Sequence, residues 1–253
     1  MNLKDKRIAI TGAARGLGLA IAKGLGAKGA YPLLIDLSLD DLEHARSELA
    51  AMDIAAGIYP ANVADEKQVD ELFANILADH GCLHGLVNNA GILRDGLLLK
   101  VKDGEIIDRM SLAQWQAVID VNLTGVFLCG RAAAEQMLRS QSEGLILNIS
   151  SISKAGNRGQ SNYSAAKAGV AALTVTWAGE LARYGIRCAG IAPGFISTDM
   201  VASMKPEALE KMASGIPLKR LGKVEEIAHT AVYLFENDYY NGRTLELDGG
   251  LRI

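Results

Sequence analysis

Cysteine and aromatic residues are scarce in this 253-residue chain. The three cysteines, Cys82, Cys129 and Cys188, are far apart, odd in number and outside any C-x-x-C pair. This pattern indicates neither a disulfide framework nor a zinc site. We therefore expect the three cysteines to be small buried residues and the protein to lie in a reducing compartment. Aromatic residues make up only 5% of the chain, which predicts an aliphatic, alanine-rich core.

The chain also lacks a strong charge imbalance and a long apolar run. Its net charge of −3 argues against a nucleic-acid-binding protein, which usually has a basic face. No uncharged apolar run approaches the roughly 20 residues needed to cross a bilayer. The apolar stretch after the charged residues 4–7 is too short for a signal peptide. We therefore expect a cytoplasmic protein that binds neither nucleic acid nor membrane.

Metal ligands are not arranged for binding. Acidic residues do not cluster, and no H-E-x-x-H motif occurs. The four histidines, which show no ligand spacing, are His44, His80, His84 and His229. No metal is expected.

Short apolar, β-branched runs alternate with helical patterns along the whole chain. Strands are predicted at 8–11, 31–36, 55–62, 83–89, 144–150, 186–192 and 243–247. Ser38 is a candidate helix N-cap, and Ser111 with Gln114 forms a candidate capping box. Apolar strands separated by helices predict a parallel sheet covered on both faces. The expected fold is α/β: a single doubly wound, Rossmann-type domain over 1–253, with a mainly parallel sheet of about seven strands.

Two segments interrupt the alternation. Asp103-Gly104 lies between two apolar arms, which predicts a β-hairpin insertion at 97–109. The segment 195–217 contains Met200, Met204 and Met212, and its helical pattern at 205–213 predicts a short lid helix over the substrate. Ordinary packing of a surface helix explains that second pattern equally well.

A glycine-rich turn joins the first strand to the first helix. Gly12, Gly16 and Gly18 follow the spacing G-x-x-x-G-x-G. Glycines let the backbone approach a pyrophosphate, and the start of a helix offers free N–H groups. The turn therefore predicts a nucleotide site.

Asp36 ends the second strand, where a carboxylate can bind the ribose 2′-OH of NAD(H) and repel a 2′-phosphate. The competing interpretation of Asp36 is a helix cap or turn residue. Arg15 could instead pair with the 2′-phosphate of NADP(H). We expect NAD(H) to be preferred, and NADP(H) is not excluded.

Three motifs in this order resemble the short-chain dehydrogenase/reductase family over essentially the whole chain. They are the glycine turn, Asn88-Asn89-Ala90-Gly91 after the fourth strand, and Tyr163-x-x-x-Lys167 on a helix. The segments 157–169 and 192–196 are most similar to the 3-oxoacyl-(acyl carrier protein) reductases of that family.

The resemblance implies a catalytic set. Tyr163 matches the general acid/base, and Lys167 matches the lysine that holds the nicotinamide ribose. Ser150, thirteen residues before Tyr163, matches the serine that orients the substrate, and Ser151 is the competing candidate. Asn122 matches the asparagine that holds a water in the proton relay.

The resemblance also implies a set of cofactor-binding residues. They are Gly12, Arg15, Gly16, Leu17, Gly18, Asp36, Asn62, Val63, Asn89, Ala90, Gly91, Tyr163, Lys167, Pro193, Gly194, Ile196 and Thr198.

The spacing of Tyr163 and Lys167 is physically consistent with those roles. Residues i and i+4 share one helix face, so the Lys167 ammonium can lie beside the phenol. Opposite charge favours an ionised group, so Lys167 and an oxidised nicotinamide are expected to lower the pKa of Tyr163 toward neutrality. The tyrosine would then exchange a proton with the substrate oxygen.

The substrate is the least defined part of this interpretation. The working hypothesis is reduction of a 3-oxoacyl thioester, on coenzyme A or acyl carrier protein. Oxidation of a 3-hydroxyacyl thioester or another secondary alcohol is the alternative, and a non-catalytic nucleotide sensor is the rival class. The resemblance also implies a homotetramer built on the helices near 111–140 and 160–184. The small residues Gly169, Ala171, Ala172 and Ala178 would allow close packing there, or equally within one chain.

Overall fold

A computed structural model describes residues 1–198 and 206–252. Its main sheet has seven strands: β1 (Arg7–Thr11), β2 (Tyr31–Asp36), β3 (Gly57–Pro60), β4 (Gly85–Asn88), β7 (Gly144–Ile149), β8 (Ile186–Pro193) and β11 (Thr244–Leu247). They are all parallel, in the order β11-β8-β7-β4-β1-β2-β3. The predicted α/β fold with a parallel sheet of about seven strands is confirmed.

Helices cover both faces of the sheet. They are α1 (Gly16–Gly26), α2 (Leu39–Ala50), α3 (Glu66–His80), α4 (Leu112–Ile119), α5 (Gly125–Arg139), α6 (Ser161–Leu181), α7 (Pro206–Gly215) and α8 (Val224–Glu236). Helix α1 packs against α8, and α3 packs against α5. Side chains of a strand alternate between faces, and β1 divides its residues accordingly. Ile8 and Ile10 join the aliphatic core with α1 and α8, whereas Ala9 joins the core with α3 and α5.

The predicted helix caps are present. The Ser38 hydroxyl accepts a hydrogen bond from the Asp41 N–H at the start of α2. Ser111 and Gln114 form a reciprocal capping box at the start of α4. Because Ser38 fills the N-cap position, the interpretation of Asp36 as that cap is wrong.

The segment 97–109 forms an antiparallel hairpin of β5 (Leu99–Lys102) and β6 (Glu105–Arg109). Asp103 and Gly104, at its turn, have φ values of 52° and 83°. Two consecutive positive φ values are the signature of a type I′ turn. Every residue of both strands is exposed, so the hairpin projects from the domain.

The remaining strands, β9 (Ile196–Ser197) and β10 (Gly222–Lys223), form a small parallel pair. Helix α7 lies where the sequence predicts a lid helix, and the lid role stays a prediction. Met200 and Met204 lie outside the described residues.

One helical run, Leu112–Arg139, is long and apolar enough to span a membrane by length and composition, with a mean hydropathy of 1.3. It consists of α4, a π-helical turn at Asp120–Thr124, and α5. Its α5 part packs on α3, β4 and β7, so we interpret the run as an interior helix of the domain.

Candidate active site

The glycine turn forms the floor of a cleft at the carboxyl edge of the sheet. Gly12 and Gly16 have positive φ values of 64° and 56°. A Cβ on Gly12 would lie 2.9 Å from the Cα of Ala90, whereas the space around a Cβ on Gly16 is open. Arg15 occupies the N-cap position of α1 without a capping side-chain hydrogen bond. The first N–H groups of α1 therefore have no side-chain cap, as a pyrophosphate site requires.

The loop after β4 holds this turn in place. The Thr11 hydroxyl oxygen accepts hydrogen bonds from the N–H groups of Asn89 and Ala90, each at 3.0 Å. The Asn89 side-chain amide donates to the carbonyls of Thr11 and Gly12, also at 3.0 Å. These bonds join the ends of β1 and β4, where the strand order reverses direction. Ligands of doubly wound sheets bind at such a switch point.

The cleft has a volume of about 500 Å³. Predicted cofactor residues that line it are Gly12, Arg15, Gly16, Leu17, Asp36, Asn62, Val63, Asn89, Ala90, Gly91 and Thr198. The residues that sequence reasoning missed are Ile35, Leu37, Ala61, Ile92 and Val121. Four of these follow or end strands, where the predicted fold already places a ligand, and Val121 lies in a π-helical turn; none carries a distinctive motif.

Six of the predicted cofactor residues are not among those that line the cleft: Gly18, Tyr163, Lys167, Pro193, Gly194 and Ile196. A Cβ on Gly18 would lie 2.1 Å from the carbonyl oxygen of Gly12, so this glycine lets α1 pack under the turn. Pro193 is buried at the end of β8. A Cβ on Gly194 would lie 2.7 Å from the Cα of Asp248. Ile196 lines a separate cavity of about 100 Å³.

Asp36 reaches the cleft as a carboxylate fixed by the backbone. Its Oδ2 accepts a hydrogen bond from the Ala14 N–H at 3.1 Å, and its Oδ1 accepts one from the Leu37 N–H at 2.8 Å. A carboxylate oxygen has two lone pairs, so each oxygen keeps capacity to accept a further hydroxyl proton. Arg15 lines the same cleft.

Tyr163 and Lys167 lie together on the first turns of α6. The Lys167 Nζ atom is 5.6 Å from the centroid of the Tyr163 ring. It donates a hydrogen bond of 2.7 Å to the Ile149 carbonyl at the end of β7. Lys167 is only 3% exposed, and burial lowers its pKa to about 8. The predicted proximity of the two side chains is therefore present in the structure.

The structure favours Ser151 over Ser150 as the serine beside the tyrosine. The Ser150 hydroxyl donates a hydrogen bond of 2.8 Å to the main-chain carbonyl of Lys167, inside the core. The Ser151 side chain is instead the one that hydrogen-bonds with the Tyr163 phenol and lowers its pKa. Successive residues of extended backbone point to opposite sides, which explains why only one of two adjacent serines faces the tyrosine.

In the chain alone, burial sets the acidity of Tyr163; the predicted joint effect of Lys167 and an oxidised nicotinamide stays a prediction. Burial raises the pKa of its phenol above the ordinary value, the Ser151 hydrogen bond offsets part of this, and the Asp95 carboxylate raises the pKa further. The Lys167 ammonium group donates to the Ile149 carbonyl and is itself desolvated. Burial is therefore the largest influence on the pKa of Tyr163 among the residues of this chain.

Asn122 lies in the π-helical turn between α4 and α5 and is fully buried. Its side-chain Nδ2 donates to the Ile92 carbonyl at 3.0 Å, and its Oδ1 accepts from the Ile92 N–H at 2.8 Å. Ile92 lines the cleft, so this amide fixes part of the cleft wall. π-Helical turns often occur at functional sites.

Asn162, next to Tyr163, was missed by the sequence analysis. Its Nδ2 donates to the carbonyls of Arg94 and Gln114, each at 3.0 Å, and its Oδ1 accepts from the Tyr163 N–H at 2.8 Å. Gln160 Nε2 donates to the Asp95 carboxylate at 3.0 Å. An Asn directly before the tyrosine was visible in the sequence, but its long-range partners were not.

A larger groove of about 950 Å³ runs along the outer side of α1, between α2 and α8. It shares Arg15, Gly16 and Thr198 with the cleft, and Tyr163, Lys167 and Ser151 are among the lining residues of neither. The smaller cleft is the one at the switch point between β1 and β4, so its position rather than its size identifies the nucleotide site.

The sheet order, the glycine turn and the position of the cleft define a Rossmann-like α/β protein. A family model described as enoyl-(acyl carrier protein) reductase matches residues 12–252. A structure from Agrobacterium tumefaciens, provisionally named a gluconate dehydrogenase, has a TM-score of 0.89 and 34% identity, covering 98% of this chain and 96% of that one.

The sequence relatives that match over the full length have names that specify a different substrate from that of the structural neighbour. The 3-oxoacyl-(acyl carrier protein) reductase of Thermotoga maritima is 40% identical, with 100% of both chains covered. The reductases of the same name from Staphylococcus aureus and Synechocystis are 41% and 42% identical; coverage is 97% and 96% of this chain, and 98% and 95% of theirs. The chain therefore belongs to the short-chain dehydrogenase/reductase family, whose members are oxidoreductases.

Proposed function

We propose that this chain reduces 3-oxoacyl thioesters to 3-hydroxyacyl thioesters with a nicotinamide cofactor, preferring NADH. The observation that carries the proposal is the grouping of Tyr163, Lys167 and Ser151 at the carboxyl edge that also bears the cleft. The relatives named 3-oxoacyl-(acyl carrier protein) reductases supply the substrate class.

The cofactor would lie along the cleft. Its pyrophosphate would rest on Gly12, Gly16 and the uncapped start of α1, with Asn62 and Val63 beside the adenine. The fixed Asp36 carboxylate would accept the ribose 2′-OH and disfavour a 2′-phosphate, which supports NADH over NADPH. When bound, the nicotinamide supplies the hydride.

The side chains of this protein would then supply the proton that the substrate oxygen takes up. Tyr163 would donate its phenolic proton to the carbonyl oxygen of the substrate, and Ser151 would donate a hydrogen bond to that oxygen as its negative charge grows. Lys167, anchored on Ile149, would hold the nicotinamide ribose. Its cationic form would favour the tyrosinate that remains. Asn122 would hold a water of the proton relay.

Steady-state turnover tests the reaction. With acetoacetyl-CoA, NADH oxidation is expected, and Tyr163→Phe is expected to abolish it while binding of NADH persists. Fluorescence titration with NADH and NADPH tests the cofactor preference. Tight NADH binding without turnover of any carbonyl compound would instead favour the nucleotide sensor.

The provisional gluconate dehydrogenase favours a second candidate, the oxidation or reduction of a hydroxylated sugar acid. Its test is a panel of sugar acids and ketones with the preferred cofactor. Turnover of sugar acids, with acetoacetyl-CoA inert, would replace the thioester assignment.

We also infer from the resemblance that acyl carrier protein can carry the substrate. Docking an acidic carrier calls for basic side chains beside the site, and Arg139 and Arg183 lie near the places where the family has them. Arg139 pairs with Glu135, and Arg183 stacks on the Tyr184 ring at 4.6 Å, so neither arginine is a bare cation for such a carrier. Comparing carrier-bound and CoA-bound substrates tests that docking. A cytoplasmic location is supported by three free thiols, of which burial raises the pKa of Cys129 to about 12.

A homotetramer is supported by the exposed apolar side chains of Phe127 on α5 and Val175 on α6. The argument from small residues is weaker. A Cβ on Gly169 would lie 2.8 Å from Leu123, and Ala178 is buried, so both pack within the chain. Light scattering at micromolar concentration should give four times the chain mass.

A further inference from the structure

The hairpin arm, residues 97–109, has two chemically different faces. Residues directly opposite across an antiparallel pair share a face. Val101 stands opposite Ile106. Leu99, on the same face two residues from Val101, stands opposite Arg109, so this face is apolar toward the turn and has one cation at its base. A register shift between Lys100 and Val101 separates the two pairs. The exposed fractions of Val101, Ile106 and Leu99 are 58%, 64% and 49%.

The other face of the hairpin arm is charged and balanced. Lys100 stands opposite Asp108, and Lys102 stands opposite Glu105. The whole arm contains three basic and three acidic residues. An isolated two-stranded hairpin is marginal in water unless an apolar face packs on something. Its electrical neutrality favours an uncharged, apolar occupant over an acidic carrier protein.

The base of the arm is attached beside the catalytic tyrosine. Asn162 binds the chain on both sides of the arm, through the carbonyls of Arg94 and Gln114, and its Oδ1 also accepts from the Tyr163 N–H. The Gly96 N–H donates to the Gly159 carbonyl at 2.8 Å, in the turn that leads into α6. The Met110 N–H donates to the Leu97 carbonyl at 3.1 Å and closes the base. The arm therefore rises from the rim of the reaction site.

We infer that the apolar face of the hairpin arm binds the alkyl chain of the acyl thioester and sets the preference for chain length. The inference rests on the proposed function, because it names the part of the substrate that lies beyond the reacting carbonyl. Val101 and Ile106 are then specificity-determining residues that do not touch the reacting atoms.

The test compares kcat/KM for acetoacetyl-CoA and 3-oxododecanoyl-CoA. The double variant Val101→Thr/Ile106→Thr keeps β-branched residues in both strands but makes the face polar. Its matched control, Lys102→Gln/Glu105→Gln, alters the opposite face at neighbouring positions. We expect the ratio of long-chain to short-chain kcat/KM to fall about tenfold in the apolar-face variant, because a polar face no longer removes the methylenes of the long chain from water. The control should keep the wild-type ratio.

Several outcomes would overturn the inference. An unchanged ratio in the apolar-face variant would show that the face does not meet the chain. An equal loss with both substrates would indicate a structural effect, and Ile106→Thr alone should then show the same equal loss. A lower assembly mass by light scattering would assign the face to a second copy of this chain, and a defect confined to carrier-bound substrates would assign it to the carrier. If the wild type reduces neither thioester, the proposed function fails instead.

Discussion

Replacing Lys167 by methionine should change how stability depends on pH. The ammonium group is buried against the Ile149 carbonyl, and burial lowers its pKa from 10.5 to about 8. At about 1.4 kcal/mol per pKa unit, keeping this cation inside the fold costs about 3 kcal/mol at neutral pH.

The sign follows from proton binding in the two states. Below pH 8 both states hold the proton, so the full cost is present. Between pH 8 and 10.5 the unfolded chain binds more protons than the folded one, so stability from this group rises with pH. About 2 kcal/mol of the cost should have disappeared by pH 9.5.

Urea unfolding at fixed protein concentration, from pH 7 to 9.5, measures this effect. Lys167→Met loses the hydrogen bond to Ile149 at every pH. It has no ammonium group, so it carries no desolvation cost that could disappear as the pH rises. The unfolding free energy of wild type minus that of the variant should therefore rise by about 2 kcal/mol across the range. For Lys102→Met, a substitution of an exposed lysine, the plot of unfolding free energy against pH should be parallel to that of wild type. Parallel curves for Lys167→Met would refute a desolvated cation at this position.

Three further predictions concern the serines, the cofactor and acid stability. Ser151→Ala should lower kcat by about 10²–10³, the usual cost of losing one donor to a developing oxyanion. Ser150→Ala should leave kcat within about tenfold but cost about 1 kcal/mol of stability; equal kcat losses would contradict the assignment. Asp36→Ala should raise the NADH dissociation constant relative to NADPH by about tenfold, about 1.4 kcal/mol, in fluorescence titrations. Burial, with Lys6 and Arg7 nearby, lowers the pKa of His84 to about 4. The unfolded state then binds more protons between pH 6.5 and 4, so wild type should lose stability on acidification through that window. His84→Gln should lose less, as read from urea midpoints at pH 7 and 5.

The fold was predictable because its signals are local. The strand β2 was predicted with its observed bounds, since it is a short apolar run between turn residues. The caps at Ser38 and Ser111 depend on spacing within one helical turn. The hairpin followed from a dipeptide, Asp103-Gly104, that accepts positive φ values.

The site was predictable only where a regular element fixes the geometry. Tyr163 and Lys167 share one helix, so their proximity followed from periodicity. The spacing between Tyr163 and the two serines crosses an irregular segment with a 3₁₀ turn, Ile152–Ala155. Counting residues across that segment cannot decide which hydroxyl faces the phenol. The raised pKa of Tyr163 in the chain alone could not be predicted, because the amount of burial is a property of the packed fold.

The double attachment through Asn162 makes the hairpin a separable appendage. The chain on both sides of the hairpin accepts hydrogen bonds from the side-chain amide of Asn162. The oxygen of that amide also accepts a hydrogen bond from the Tyr163 N–H. Residues of the hairpin between these two attachment points can be inserted, deleted or replaced by others of different polarity without displacing the Tyr163 phenol. The residues that set the substrate range and those that carry out the reaction thus lie in different segments of the chain. Substitutions can therefore change the first property without changing the second.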